Sequence, residues 1–201
     1  MNSDVMVYIV DDDAAVRRSL AMLMQSVGYK VKSYASAREF LDAFDLSLAG
    51  CLVLDVRMPE ISGLDLQQML VQNKIKIPVI IITGHGDVPM AVRAMKEGAV
   101  DFIEKPFHDQ DLLDSISRAI ASSVENQKQR NGQIKFLKLF SSLSPREKQV
   151  METLVAGKQC KVIASELGIS PKTVDVHRSH IMEKMQVKSL VELVRLSMAN
   201  T

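Results

Sequence analysis

Short apolar runs alternate with helical repeats through the first half of the chain. Val5–Val10 reads VMVYIV, an apolar run that stops abruptly at Asp11, Asp12 and Asp13. Val16, Leu20, Leu23, Met24 and Val27 then recur at three- and four-residue spacing, and Gly28 supplies a helix stop. Lys30 to Tyr34 alternates as a strand does, and Ser36 caps a short helix carrying Phe40, Leu41 and Phe44. Cys51 to Leu54 delivers Asp55 before the chain breaks at Pro59 and Gly63, the pattern of a strand buried on both faces of a parallel sheet. A helix from about Leu64 to Asn73 carries Leu66, Met69 and Leu70 on one face. Pro78 opens the most apolar strand, Val79 to Ile82, which ends in Thr83-Gly84-His85-Gly86. Residues 88–97 read as an amphipathic helix with Val88, Val92 and Met95 along its apolar side. A last strand, about Val100 to Ile103, leads to Glu104-Lys105-Pro106-Phe107, and Leu112, Leu113, Ile116 and Ile120 mark a fifth helix. Five strands alternating with five helices predict a doubly wound α/β sheet.

The second half is all helix. Residues 121–132 (ASSVENQKQRNG) are polar, as in a solvent-bridging helical extension or a tether, and Gly132 argues against one unbroken helix. Ile134, Leu137 and Phe140 form a short apolar face, better suited to packing on the second domain than to a coiled coil. Ser144 as N-cap, Pro145 at the first helical position and Glu147 as capping-box acid start a helix carrying Val150, Met151, Leu154 and Val155, stopped by Gly157. A helix from about Cys160 to Leu167 breaks at Gly168, Ser170 and Pro171 open another to about Met185, and a last covers about Ser189 to Ser197. Two short helices joined by a glycine turn read as a helix-turn-helix. On the third of these four helices Val174, His177, Ile181 and Met185 share the face expected to be buried; His177 reads as a packed core or phosphate-adjacent histidine rather than a metal ligand. Opposite lie Lys172, Val176, Ser179 and Glu183, flanked by Thr173, Asp175 and Arg178. An exposed valine among small polar and basic groups suits thymine methyls and base edges in a major groove, the alternative being a solvated face with one stray valine.

Composition narrows the class. The chain has 201 residues, 47% of them apolar and 24% charged, which is ordinary for a soluble globular protein. No apolar run approaches the ~20 residues that span a bilayer, so no membrane association is expected. The N-terminus lacks the basic region of a signal peptide, and Cys51 and Cys160 are too few for a disulfide framework or a zinc site. A cytoplasmic location is the expectation. Net charge is +1 but uneven: 12 Lys and Arg face 17 Asp and Glu through residue 121, against 13 and 7 from 122 onward. That asymmetry predicts two domains, the second meeting an anionic partner.

Each strand of interest ends in a reactive group: Asp11 and Asp12, Asp55, Thr83, Lys105. Ligands of open parallel sheets collect at these carboxyl ends. A lone Asp there ordinarily caps a turn, but the set has a common chemistry. Grouped carboxylates can hold Mg²⁺, one can attack phosphorus to give an acyl phosphate, and a hydroxyl with an ammonium can bind the phosphoryl oxygens.

VYIVDDD, LDVRMPEISG, ITGH and EKPF in this order resemble the receiver domain of bacterial two-component response regulators, over roughly residues 4–121. The resemblance implies a flavodoxin-like fold of five parallel strands with Asp55 as phosphoacceptor. Asp11 and Asp12 would bind Mg²⁺ with it, joined by the Arg57 backbone carbonyl. Thr83 matches the switch hydroxyl, Lys105 the family's lysine and Phe102 the switch aromatic; Arg57 and His85 match the positions that tune phosphoryl lifetime. Lys105–Pro106 is a candidate cis peptide on the family pattern alone.

The stretch LSPREKQVMETLVAGKQCKVIASELGISPKTVDVHRSHIMEKM resembles the LuxR-type four-helix DNA-binding domain, over about residues 141–198. The whole chain is thus similar to NarL/FixJ-family regulators: receiver 1–121, linker 122–140 with part of it helical, helix-turn-helix domain 141–201. Asp175 stands where a contacting lysine is common, which moves the DNA contacts to Lys172, Thr173, Val176, Arg178 and Ser179, with Lys161 and Lys184 as phosphate candidates. The resemblance implies no enzyme but a phosphorylation-switched transcription factor. Its partners would be a sensor histidine kinase, promoter DNA, RNA polymerase and, when phosphorylated, a second copy. Two rivals are weaker. A haloacid-dehalogenase-type aspartyl phosphatase needs an acid where Arg57 stands, and no GxxxxGK phosphate loop occurs. An output that binds protein or RNA fits the exposed stripe on the third helix less well than DNA.

Overall fold

The computed structural model describes residues 5–43 and 49–199; Phe44, expected on the second helix, lies outside them. Contacts divide the chain into two compact units, one up to Gln127 and one from Lys128.

The first unit is a five-stranded parallel sheet, order β2-β1-β3-β4-β5. Its strands are β1 (Val5–Val10), β2 (Lys30–Tyr34), β3 (Ala49–Asp55), β4 (Val79–Thr83) and β5 (Asp101–Glu104), with α1 (Ala14–Ser26), α2 (Ala37–Ala43), α3 (Gly63–Gln72), α4 (Val88–Lys96) and α5 (Asp109–Ser141) between and after them. Every residue of β1, β3 and β4 is buried, because helices cover both sheet faces. Side chains alternate between two cores. Tyr8, Val10, Leu52, Leu54 and Ile81 face Phe40, Leu66, Leu70 and Ala94 of α2, α3 and α4. Val7, Ile9, Cys51, Val53, Ile80 and Ile82 face Leu20 and Met24 of α1 and Leu112, Ile116 and Ile120 of α5. Where β1 and β3 run closest, only a glycine fits: a Cβ on Gly50 would lie 2.0 Å from the Met6 carbonyl oxygen. The buried N–H of Gly50 donates to Ser123 Oγ at 3.0 Å, which ties α5 to β3 past the expected end of the first domain at residue 121.

On the apolar side that spacing marks on α4, Val88 is 77%, Val92 46% and Met95 49% exposed, while Ala94 is fully buried. The helix meets the core through small Ala94 and partly buried Met90, so the face that periodicity marks as apolar looks outward. One expectation is corrected: Gly132 does not interrupt the linker, since α5 is continuous from Asp109 to Ser141. A Gly in an exposed helix costs only about 1 kcal/mol relative to Ala, and packing holds this helix on either side of it, through Ile120 and Ser123 before and Phe136 after.

The second unit comprises the end of α5 with α6 (Pro145–Val155), α7 (Cys160–Leu167), α8 (Pro171–Lys184) and α9 (Leu190–Met198). Its core is Phe136, Leu143, Val150, Leu154, Ile163, Val174, Ile181, Met185 and Leu193. Ser144 and Glu147 form the capping box of α6, and Ser170 and Ser189 cap α8 and α9. Gly168, at φ +63°, ends α7 in the left-handed conformation and sets the turn into α8. Among the described residues no helix is long and apolar enough to cross a membrane.

Candidate functional site

Strand register gathers the polar set. Val10 pairs with Leu54, so Asp11 and Asp55 follow one another on adjacent strands; Thr83 pairs with Glu104, which puts Lys105 one residue beyond. The Lys105 ammonium donates to Asp55 Oδ1 at 2.8 Å and to Asp11 Oδ2 at 2.9 Å. Asp55 Oδ2 accepts from the Arg57 N–H at 2.6 Å, and Asp11 Oδ1 from the Asp13 N–H at 2.9 Å. Both carboxylates are buried, at 6% and 1% exposure, whereas Asp12 is exposed. Burial raises the Asp55 carboxyl above its ordinary value, with Lys105 pulling against it and Asp11 adding to it. Burial also works against the charge on Lys105, yet its hydrogen bonds to Asp55 and Asp11 outweigh this and lift it. The lysine therefore stays charged between its two acids in a partly dry pocket.

The remaining receiver positions surround this core. Thr83 is fully buried, and its Oγ1 accepts from the His85 N–H at 3.3 Å, leaving the hydroxyl proton for another acceptor. The Lys105 N–H donates to the Thr83 carbonyl at 2.7 Å, and the Lys105–Pro106 peptide is cis. The Phe102 ring lies against Gly86: a Cβ there would sit 3.1 Å from Phe102 Cε1 and 3.4 Å from Thr83 Cγ2. Sequence reasoning missed Gly86, although the glycines flanking His85 mark the loop. It also missed Arg17, which reaches back from α1 to donate to the Asp11 carbonyl at 2.6 Å and so steadies the acidic loop.

The donor set suits a hard cation. Asp11, Asp12 and Asp55 bring carboxylate oxygens to neighbouring strand ends, the ligand type of a Mg²⁺ that keeps several waters. Among the described residues they are not gathered as tightly as a closed metal cage, and Lys105 supplies the positive charge between two of them.

On α8 the predicted halves are largely as expected. Val174, Ile181 and Met185 are buried and His177 half-buried, its Nδ1 without a hydrogen-bond partner among the described residues. Lys172, Asp175, Val176 and Ser179 are exposed, Val176 at 48%; Arg178 and Thr173 are half-buried, and the Thr173 hydroxyl pairs with Ser170 Oγ at 2.8 Å. Lys161 on α7 is exposed. Lys184 differs: its ammonium donates to Glu147 Oε2 at 2.7 Å.

Residues 7–117 match the response regulator receiver domain family, and residues 141–197 the luxR family of bacterial regulatory proteins. The chain is 48% identical to the transcriptional regulatory protein FixJ of Rhizobium meliloti over 98% of this chain and 97% of that one. It is equally 48% identical to nodulation protein W of Bradyrhizobium diazoefficiens, over 98% and 86% of the two chains. The solved response regulator StyR superimposes with a TM-score of 0.89 at 45% identity, covering 98% of this chain and 99% of that one. Full-length FixJ from B. japonicum gives 0.58 at 46%, over 97% and 96%. The chain is a FixJ-like two-component response regulator. In this family a receiver governs a LuxR-type DNA-binding domain, and the protein acts as a transcription factor rather than an enzyme. Receivers typically bind Mg²⁺ at their phosphorylation site, and the architecture implies a histidine kinase and promoter DNA as partners. For this response regulator the sheet register is thus what sets the receiver's polar cluster, and α8 is the exposed helix of its DNA-binding unit.

Proposed function

We propose that phosphorylation of Asp55 switches this regulator between non-binding and promoter-binding forms. The observation that carries it is the Lys105 ammonium held between Asp55 and Asp11. An Asp55 oxygen attacks the phosphorus of a sensor kinase's phosphohistidine; the P–N bond breaks, the acyl phosphate forms and the imidazole leaves with a proton. Asp11, Asp12, Asp55 and the Arg57 carbonyl would hold Mg²⁺, whose charge offsets that of the incoming phosphoryl group. Lys105, already 2.8 Å from Oδ1, turns to the phosphoryl oxygens, and the Thr83 hydroxyl donates to another. Thr83 and Phe102 both lie against Gly86, so a shift of one can be passed to the other through that loop.

The change is read out on the neighbouring surface. Val88, Val92 and Met95 already present an apolar stripe on α4, the kind of face that a second copy covers. Paired second units then reach two half-sites, with Lys172, Thr173, Val176, Arg178 and Ser179 of α8 at the bases and backbone and Lys161 on a phosphate. RNA polymerase is the further partner of such a promoter-bound dimer, and the cytoplasm is where kinase and DNA are both met.

The test compares the full chain with Asp55→Asn, with and without acetyl phosphate plus Mg²⁺. Intact mass should show one phosphoryl group on the wild type and none on the variant. Sedimentation and DNA binding should change only for the wild type. Equal DNA binding by both proteins under every condition would refute the switch.

A further inference from the structure

The first turn of α6 touches both helices of the helix-turn-helix. Arg146 donates to the carbonyl of Leu167, the last residue of α7 before the Gly168 turn. Its neighbour Glu147 is 4% exposed, a carboxylate covered by its own partners near the domain surface. Oε2 of Glu147 accepts from the Ser144 N–H at 2.7 Å and from Lys184 Nζ at 2.7 Å, and Oε1 lies 3.9 Å from His180 Nδ1. His180 and Lys184 stand one helical turn apart on α8, on either side of buried Ile181. A carboxylate buried this far needs its partners. The Lys184 hydrogen bond, with the Ser144 N–H behind it, holds Glu147 down at about 2, so the ion pair is present throughout the physiological range.

We propose that Arg146 and Glu147 form a positioning clamp that fixes the angle of α8 against α7, and that Lys184 serves as the clamp's anchor rather than as a DNA-phosphate contact. The inference rests on the reading of α8 as the DNA-contacting helix. Two consecutive side chains fix two points: the C-terminal end of α7 through its carbonyl and the C-terminal half of α8 through its cation. The N-terminal half of α8, with Lys172 and Val176, has no such tie among the described residues beyond its Ser170 cap, and so presents its side chains at an angle set from the other end. The charge of Lys184 is already committed to a carboxylate, so the pair would bring little net positive charge to a DNA phosphate.

The two roles differ in salt dependence. Each phosphate contact contributes ~0.9 to the slope of log K against log salt concentration, whatever the sequence bound. The experiment uses the full chain activated with acetyl phosphate and Mg²⁺, a random-sequence duplex, and a duplex that the wild type has selected from a random pool. Lys184→Met should leave the slope and the affinity on random duplex as in the wild type. On the selected duplex it should lose affinity by about tenfold, the size of a misplaced base contact. Adding Glu147→Gln, which keeps an acceptor for the Ser144 N–H and removes the orphaned charge, should not restore that affinity, because the tie to α8 is still missing. Lys172→Met is the reference and should lower the slope by ~0.9. Circular dichroism at the working temperature confirms that each variant is folded; should Lys184→Met alone not fold, the double variant gives the same slope measurement. A slope lowered in the double variant as in Lys172→Met, or wild-type affinity of the double variant on the selected duplex, would overturn the clamp. If instead Lys172→Met, Val176→Ala and Arg178→Met all bind as the wild type does, α8 is not the contacting helix and the underlying reading fails.

Discussion

Burial raises Asp55 while Lys105 pulls against that rise, and a nucleophile for phosphorus is served by that combination: a carboxylate poorly solvated, with a cation beside it favouring its charged form. Around it, single atoms of space matter. Gly86 leaves just enough room for the Phe102 ring beside Thr83. Gly86→Ala should push the ring away and weaken the link from phosphorylation to dimerisation. The expected outcome is an unchanged phosphoryl occupancy by intact mass with several-fold less dimer by sedimentation. The strand-end residues were legible in the sequence because apolar runs dictate where strands stop, and a parallel sheet brings those stops together. The contact of Gly86 with Phe102 was not, since it joins two loops whose approach only the folded sheet determines. Nor was the pairing of Lys184 with Glu147, since the exposure of a helical lysine says nothing of a carboxylate 37 positions earlier in the chain.

Helices show where local pattern and packing part ways. The boundaries of β1, β2 and α7 came directly from periodicity and punctuation, while α4 meets the core through Ala94 and Met90 and leaves its valines outward. In α5 the glycine signal at 132 lost to packing at both ends. Gly132 is exposed, and a Cβ there would meet nothing within 4 Å. Gly132→Ala should therefore raise stability by about 0.5–1 kcal/mol and increase helicity, as read by thermal denaturation and far-ultraviolet circular dichroism. A loss of stability would mean that the backbone at 132 carries a strain that helix geometry does not reveal.

Taken whole, the chain joins an acidic unit to a basic one, and their responses to acid should differ. Glu147 titrates at about 2 in the folded protein against 4.5 for an ordinary glutamate. Its folded value is depressed, so its stabilisation is complete above 4.5 and is lost as the pH falls toward 2. Calorimetric scans of the full chain at stepped pH should show the transition of the second unit moving down through this window. Glu147→Gln should flatten that dependence. Asp55 works in the opposite sense, since its raised value means that ionisation costs folding stability, and protonation as pH falls through that value relieves the cost.

The strand order also governs how the chain comes into being. β1 leaves the ribosome early, yet one of its two neighbours is β3, and the sheet is not complete until β5 has been made. The second unit needs only contacts between helices close in sequence, such as α6, α7 and α8. Non-local parallel pairing is slow and local helical packing is fast. The unit synthesised first is thus the slower to fold, and a nascent chain with β1 waiting on β3 exposes open strand edges to chaperones before the DNA-binding unit has been made.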